Sequence, residues 1–129
     1  MDGAPRQPLV LVIEDDQASR RLYAEVLLQS GFTVAEAHNG LQAIEKASEL
    51  KPDAIVTDLA LPGIDGYELC RRLHRDAQLG HIPVVAITGR YFSEADITRA
   101  LREGCRAVLI KPFDGDALVA EVRKVLRQV

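Results

Sequence analysis

The sequence has few cysteines, no long apolar run and no excess of basic residues, and each absence excludes a class of protein. Cys70 and Cys105 lie far apart, without a CxxC motif or a histidine cluster, so neither a zinc site nor a disulfide scaffold is expected. We expect both cysteines to be small core side chains that stay reduced in the cytoplasm. No stretch approaches the roughly 20 apolar residues of a membrane span. Residues 1–8 lack the apolar segment of a signal peptide.

The charge balance is mildly acidic, with 16 basic and 19 acidic side chains and a formal net charge of −3. Nucleic-acid binding depends on positive charge, so direct binding to nucleic acid is not expected. The 129 residues and the 47% hydrophobic content are typical of one domain that can bury a core. Residues 1–8 are rich in glycine and proline and are expected to form a flexible lead-in, which leaves 9–129 as a single domain.

Apolar runs alternate with segments of helical periodicity along the chain. Short apolar or half-polar runs predict strands over 9–13, 33–37, 54–57, 83–88 and 107–110. Helical spacing predicts helices over 18–29, 41–50, from a cap at Asp65 and Glu68 to about 75, 93–103 and 114–128. This alternation predicts an α/β fold, with a parallel sheet between helices and right-handed crossovers. The last predicted helix runs to the end of the sequence, so no output module is expected after it.

Polar residues with chemical potential follow the predicted strands, at the carboxyl edge where open parallel sheets bind ligands. They are Glu14, Asp15 and Asp16 after the first strand, Asp58 after the third, Thr88 at the end of the fourth and Lys111 after the fifth. Clustered carboxylates repel unless a cation joins them, and oxygen ligands suit Mg²⁺. Lysine binds phosphate as a point charge. A helix cap, a turn aspartate and a surface lysine are the plainer interpretation, but their coincidence at one edge favours a site where phosphate meets a metal ion.

Four stretches carry a family resemblance: LVLVIEDD (9–16), IVTDLALPGIDG (55–66), VVAITG (84–89) and VLIKPF (108–113). In order and spacing they resemble the receiver domain of two-component response regulators, over about residues 8–129. The resemblance implies a flavodoxin-like (βα)5 fold, with a five-stranded parallel sheet in the order 2-1-3-4-5 and helices on both faces.

The resemblance also implies roles for single residues. Asp58 would accept a phosphoryl group from a histidine kinase or a histidine phosphotransfer protein, while Thr88 and Lys111 would hold that group. The Lys111–Pro112 bond is usually cis in this family.

The metal ion implied by the resemblance is Mg²⁺. Asp15 and Asp58 would bind it directly, Glu14 would act through water, and Ala60 would supply its backbone carbonyl. Asp16 is expected to cap the first helix.

The function that follows is phosphorelay signal transduction in the cytoplasm, by a phosphoprotein that catalyses only its own phosphorylation and dephosphorylation and is not a turnover enzyme. A downstream protein partner is compatible with this role, whereas nucleic acid and membrane are not expected partners. Two alternatives stay open. A degenerate receiver would only dock partners, which the intact acidic residues, Thr88 and Lys111 disfavour. A Mg²⁺-dependent phosphohydrolase would commonly need an acid/base at position 60, which is Ala60.

The sequence departs from the family pattern near the expected switch. Val108 stands where an aromatic residue is common, Gly89 where alanine is common, and Ala60 and Arg90 occupy two positions associated with the rate of dephosphorylation. Because valine is short and stiff, we expect the response to phosphorylation to appear in the loop 89–93. Its two aromatic rings, at positions 91 and 92, either pack onto the next helix or act as a substitute switch.

Other conspicuous residues have plain interpretations. They are the three histidines His38, His74 and His81, expected in solvent, and the arginines Arg71, Arg72 and Arg75, expected as a solvated face or a partner surface.

Overall fold

Five strands and five helices alternate along the chain in the computed structural model, which describes residues 7–89 and 92–127. The strands are β1 (Leu9–Ile13), β2 (Thr33–Ala37), β3 (Ala54–Asp58), β4 (Val84–Thr88) and β5 (Ala107–Ile110), and the helices are α1 (Gln17–Gln29), α2 (Gly40–Leu50), α3 (Gly66–Arg75), α4 (Glu94–Arg102) and α5 (Gly115–Arg127). Each predicted segment is present, with described bounds that differ by at most one residue. The lead-in over 1–6 and the continuation of the last helix to 128 lie outside the described residues.

All strand pairs are parallel, and the sheet has the order β2-β1-β3-β4-β5, which confirms the expected topology. β1 and β3 are neighbours near the centre, with Ile13 paired to Thr57. The residues that follow this pair, Glu14 and Asp58, therefore emerge side by side at the carboxyl edge. β4 lies on the other side of β3, and Thr88 pairs with Ile110 of β5. This register brings the ends of four strands to one short stretch of edge.

The core forms two layers, one on each face of the sheet, because successive strand residues point to opposite faces. Leu11, Ile13 and Ile55 face α2, α3 and α4. Their neighbours Val10 and Val12 face α1 and α5. The central strands are thus apolar on both faces, which explains their continuous hydrophobic runs. None of the described helices is long and apolar enough to cross a membrane.

The start of α3 follows the predicted cap in part. Asp65 accepts a hydrogen bond from the backbone N–H of Glu68 at 2.9 Å. The carboxylate of Glu68 pairs with Arg71 and, at 3.0 Å, with Arg72. These arginines are exposed, as either a solvated face or a partner surface would require. A reciprocal capping box is present instead at the start of α4.

Candidate functional site

Four polar side chains are buried among the described residues: Glu14, Thr57, Asp58 and Thr88. Three of them are residues that the sequence singled out. Burial of a charge costs free energy unless a partner compensates it. Glu14, after β1, is 3% exposed, and Asp58, at the end of β3, is 4% exposed. Both carboxyl groups would destabilise the folded state when ionised unless a positive charge or a hydrogen-bond donor lies next to them.

Lys111 supplies that compensation from the end of β5. Its Nζ donates a hydrogen bond to Asp58 Oδ2 at 2.7 Å and lies 3.6 Å from Glu14 Oε1. Its backbone N–H donates to the carbonyl of Thr88 at 2.9 Å, which ties the start of the next loop to β4. The bond between Lys111 and Pro112 is cis, as the resemblance implies. A single ammonium group therefore serves two buried carboxyls.

The second oxygen of Asp58 is held by the backbone. The N–H of Ala60 donates to Asp58 Oδ1 at 2.7 Å, so both carboxylate oxygens have a defined partner. The start of α3 presses against the same segment, because a Cβ on Gly66 would lie 2.5 Å from the carbonyl oxygen of Asp58. No larger residue fits at Gly66 without moving the backbone that presents Asp58.

Burial changes the acidity of the site. Burial, and then the neighbouring carboxyls of Asp15 and Asp58, raise the pKa of Glu14 to about 7, although the backbone N–H of Asp16 donates to its Oε2 at 3.1 Å and opposes the change. Burial alone would lower the pKa of Lys111, but its hydrogen bond with Asp58 and the charge of that group raise it overall. At neutral pH the lysine is therefore charged, while Glu14 retains its proton more readily than an ordinary glutamate does.

Two further acids, Asp15 and Asp16, follow Glu14 in the sequence, and they differ in their contacts. Asp16 accepts hydrogen bonds from the backbone N–H and the hydroxyl of Ser19, at 2.9 and 2.7 Å, and so caps α1 as predicted. These bonds lower the pKa of Asp16, with the hydroxyl as the largest cause. Asp15 is exposed at the edge of the sheet. It can therefore bind a ligand from solvent without first giving up a cap.

The oxygen donors at this edge fit Mg²⁺. Within residues 7–89 and 92–127, no three Asp, Glu, His or Cys side chains are arranged to enclose an ion by themselves. Mg²⁺ usually keeps several water ligands and binds one or two carboxylates together with phosphate oxygens. The carboxyls of Asp15 and Asp58 both lie close to that of Glu14, so these two could hold the ion together with water and phosphate oxygens.

The expected switch region contains a contact that the sequence did not reveal. Val108 is half-buried and packs against the same core layer as Tyr67 of α3. The hydroxyl of Tyr67 donates to the carbonyl of Asp96 at 3.5 Å, and the guanidinium of Arg99 lies 4.1 Å from its ring centroid. Tyr67 thus links α3 to α4 at the core layer that Val108 also contacts. No pattern in the sequence indicated this role.

The remaining sequence predictions concern residues away from the site. Phe92 is half-buried, whereas positions 90 and 91 lie outside the described residues. The three histidines and Arg75 are exposed, as expected. Cys70 and Cys105 are free and buried, which confirms their place in the core.

A comparison with protein families matches residues 10–123 of the chain to the family described as the response regulator receiver domain. The chain is 40% identical over 121 residues to the transcriptional regulatory protein AfsQ1 of Streptomyces coelicolor, a match that covers 94% of this chain and 52% of AfsQ1. It is 32% identical over 117 residues to the polar-differentiation response regulator DivK of Brucella anthropi, covering 91% of this chain and 94% of DivK. The chain therefore spans about half the length of one relative and nearly all of the other.

Solved structures have the same fold. The signal receiver domain of a signal transduction histidine kinase from Syntrophus aciditrophicus superimposes with a TM-score of 0.87 at 30% identity, covering 95% of this chain and 92% of that chain.

Proposed function

The chain belongs to the response regulator receiver domain family of two-component signalling, and we propose that it accepts a phosphoryl group on Asp58 from a phosphohistidine. The donor would be a histidine kinase or a histidine phosphotransfer protein. The observation that carries this proposal is the buried Asp58 carboxylate, with one oxygen 2.7 Å from Lys111 Nζ and the other 2.7 Å from the N–H of Ala60. A carboxylate held in this way has a fixed orientation toward an incoming phosphorus atom.

The proposed reaction moves one phosphoryl group. An oxygen of Asp58 attacks the phosphorus, the bond between phosphorus and the donor's imidazole nitrogen breaks, and the electron pair of that bond leaves with the imidazole. Phosphoryl transfer depends on positioning and on neutralisation of charge more than on covalent assistance. The Ala60 N–H keeps the carboxylate oriented, and the ammonium of Lys111 is placed to follow the charge from Asp58 to the phosphoryl oxygens.

A second charge is needed at this site, and Mg²⁺ would supply it. Asp15 and Asp58 would hold the ion, with Glu14 through water and the carbonyl of Ala60, and the bound ion would supply positive charge to the phosphoryl oxygens. Thr88 at the end of β4 would donate its hydroxyl to the product phosphate. Its small displacement would alter the loop that leads to α4.

The biological setting is part of the proposal. We place the protein in the cytoplasm, as a phosphoprotein of a phosphorelay that does not turn over a separate substrate, contacts no membrane and binds no nucleic acid directly. AfsQ1 is named a transcriptional regulatory protein and DivK a response regulator. The proposed chemistry needs only the domain described here. It is therefore compatible with a longer protein such as AfsQ1 and with a protein of about one domain such as DivK.

The test is phosphorylation by a small phosphodonor with Mg²⁺, followed by intact-mass analysis and measurement of released phosphate. The wild-type chain should gain one phosphoryl group, and Asp58→Asn should gain none, because an amide keeps the shape of the side chain but is not a nucleophile. Asp65→Asn is the matched control, since asparagine caps a helix as well as aspartate does. It should be phosphorylated like the wild type.

Each other result points to a different function. Full phosphorylation of Asp58→Asn would show that the acceptor is another residue. A wild-type chain that takes no phosphate would favour a docking module, and continuous release of phosphate from the donor would favour a phosphohydrolase.

A further inference from the structure

Two buried thiols lie close together in the core layer that packs against α2, α3 and α4. Cys70 lies on α3 and Cys105 lies in the connection between α4 and β5, and they are 1% and 5% exposed. Their Sγ atoms are 2.7 Å apart although the residues are 35 positions apart in the sequence. Non-bonded carbon atoms rest at about 3.5–4.0 Å, and sulfur is larger. The two sulfur atoms are therefore closer than ordinary packing places them.

We propose that Cys70 and Cys105 form a reversible intramolecular disulfide under oxidising conditions, and that this bond fixes α3 to the connection between α4 and β5. The inference is independent of the phosphoryl chemistry, because it uses none of the residues proposed for that chemistry. A covalent S–S bond is about 2.05 Å long. The two sulfur atoms already lie 2.7 Å apart, so a small movement of the side chains brings them to bonding distance.

The oxidant we name is a small disulfide such as oxidised glutathione. One cysteine, after loss of its proton, attacks a sulfur of the oxidant and releases one glutathione thiolate, which takes up that proton. The second cysteine then loses its proton and attacks the protein sulfur of the mixed disulfide, and a second glutathione thiol leaves. Two protein thiols become one disulfide, and one oxidised glutathione becomes two thiols. Contact between the cysteines makes the second step intramolecular, so the mixed disulfide should not accumulate.

Access to the pair depends on α4. The neighbouring Cys105 thiol and burial raise the pKa of Cys70, so the closed protein reacts slowly. α4 has one buried residue, Ala100, whose carbonyl accepts from the N–H of Cys105 at 3.1 Å. A helix with so little buried surface opens more readily than a helix with a large buried face. Opening of α4 breaks that hydrogen bond and exposes Cys105 first.

The bond would add a covalent link to an existing contact. Tyr67 precedes Cys70 by one helical turn on the same face of α3 and already touches α4 through Asp96 and Arg99. Tyr67 holds α4 near its middle, and the disulfide would hold the segment that follows its end. Oxidation should therefore reduce the freedom of α4 as a whole.

The test compares folded and urea-unfolded protein in the same series of glutathione buffers. Free thiols are alkylated in denaturant and counted by intact mass. In the folded chain, the species with two alkyl groups should give way to one with none, and protease digestion should yield one peptide pair joined through Cys70 and Cys105. At equal buffer composition the oxidised fraction should be larger in the folded chain than in the unfolded chain. Samples that start reduced and samples that start oxidised must reach the same fraction, which removes slow access as an explanation.

An oxidised fraction that is equal or smaller in the folded chain would overturn the proposal, as would a stable mixed disulfide or a disulfide between two chains. Hydrogen exchange tests the link to α4: the amides of Glu94–Arg102 should exchange more slowly in the oxidised chain. The single variants Cys70→Ser and Cys105→Ser are the controls. If oxidant slows exchange in these variants as well, the disulfide does not fix α4.

Discussion

Replacement of Glu14 by glutamine should stabilise the metal-free protein, and the gain should grow with pH. Glu14 is 3% exposed, and the ammonium group that pairs with its carboxyl, Lys111 Nζ at 3.6 Å, is already hydrogen-bonded to Asp58. Burial and the adjacent carboxyls raise the pKa of Glu14 from 4.5 to about 7. The folded state therefore resists ionisation of this side chain. Glutamine keeps an oxygen that can accept from the N–H of Asp16 but never ionises.

The sign and size of the effect follow from proton binding. In the unfolded chain Glu14 loses its proton near pH 4.5, and in the folded chain it does so near pH 7. Between these values the folded state binds more protons, so stability falls as pH rises. The loss is complete above about pH 7, and at about 1.4 kcal/mol for each pKa unit it reaches about 3 kcal/mol. The glutamine variant avoids this loss, so its advantage is small near pH 5 and approaches about 3 kcal/mol near pH 8.

Urea unfolding in the presence of a chelator measures this difference at several pH values. Glu25→Gln, an exposed carboxyl on α1, is the matched control and should show a small difference that does not change with pH. Addition of Mg²⁺ near neutral pH should remove most of the advantage of Glu14→Gln, because a nearby cation favours the ionised carboxylate. A difference between Glu14→Gln and wild type that is the same at about pH 5 and about pH 8 would refute the reasoning.

Three further predictions follow. Asp15→Asn should raise the unfolding midpoint of the metal-free chain and remove most of its stabilisation by Mg²⁺; an unchanged response to Mg²⁺ would contradict the ligand assignment. Gly66→Ala should destabilise by about 1–3 kcal/mol, because its Cβ would lie 2.5 Å from the backbone at the end of β3. Gly89→Ala, where the Cβ would enter open space, should change stability by less than about 1 kcal/mol in the same urea assay. A beryllofluoride mimic of the phosphoryl group should shift NMR signals of Phe92 more than those of Val108, and the reverse order would place the response at Val108.

The secondary structure could be predicted almost completely, because two periodicities with different physical origins alternate along the chain. Central strands such as β3 are buried on both faces and read as continuous apolar runs, whereas helices expose one face. Helix starts were visible where a short polar side chain caps the backbone, as Asp16 and Asp65 do. The strand order was different in kind. It came from the family resemblance, because no local pattern specifies which strands are neighbours.

Part of the site could be predicted for the same reason. Strand ends share one edge in a parallel sheet, so Glu14, Asp58 and Lys111 had to lie near each other once the strands were placed. No comparable rule predicts which residues of two helices come into contact. The meeting of Cys70 with Cys105 depends on how α3 packs against the connection between α4 and β5, and spacing in the sequence says nothing about that packing. The link from Tyr67 to Arg99 was missed for the same reason.

The protonation state of the site could not be predicted from the sequence, because it depends on how deeply each carboxyl group is buried. Glu14 and Asp15 are adjacent acids, yet the first is buried beside Lys111 and the second is exposed. One ammonium group cannot neutralise both Glu14 and Asp58, so near pH 7 the metal-free site either retains a proton on Glu14 or carries an uncompensated charge. A cation at this edge resolves the imbalance and displaces the proton. Its affinity should therefore rise as pH increases through about 7, since fewer protons compete for the same carboxylates. Glu14 destabilises the metal-free chain for the same reason that the site attracts a cation. In both cases the cause is a buried negative charge that shares the ammonium group of Lys111 with Asp58.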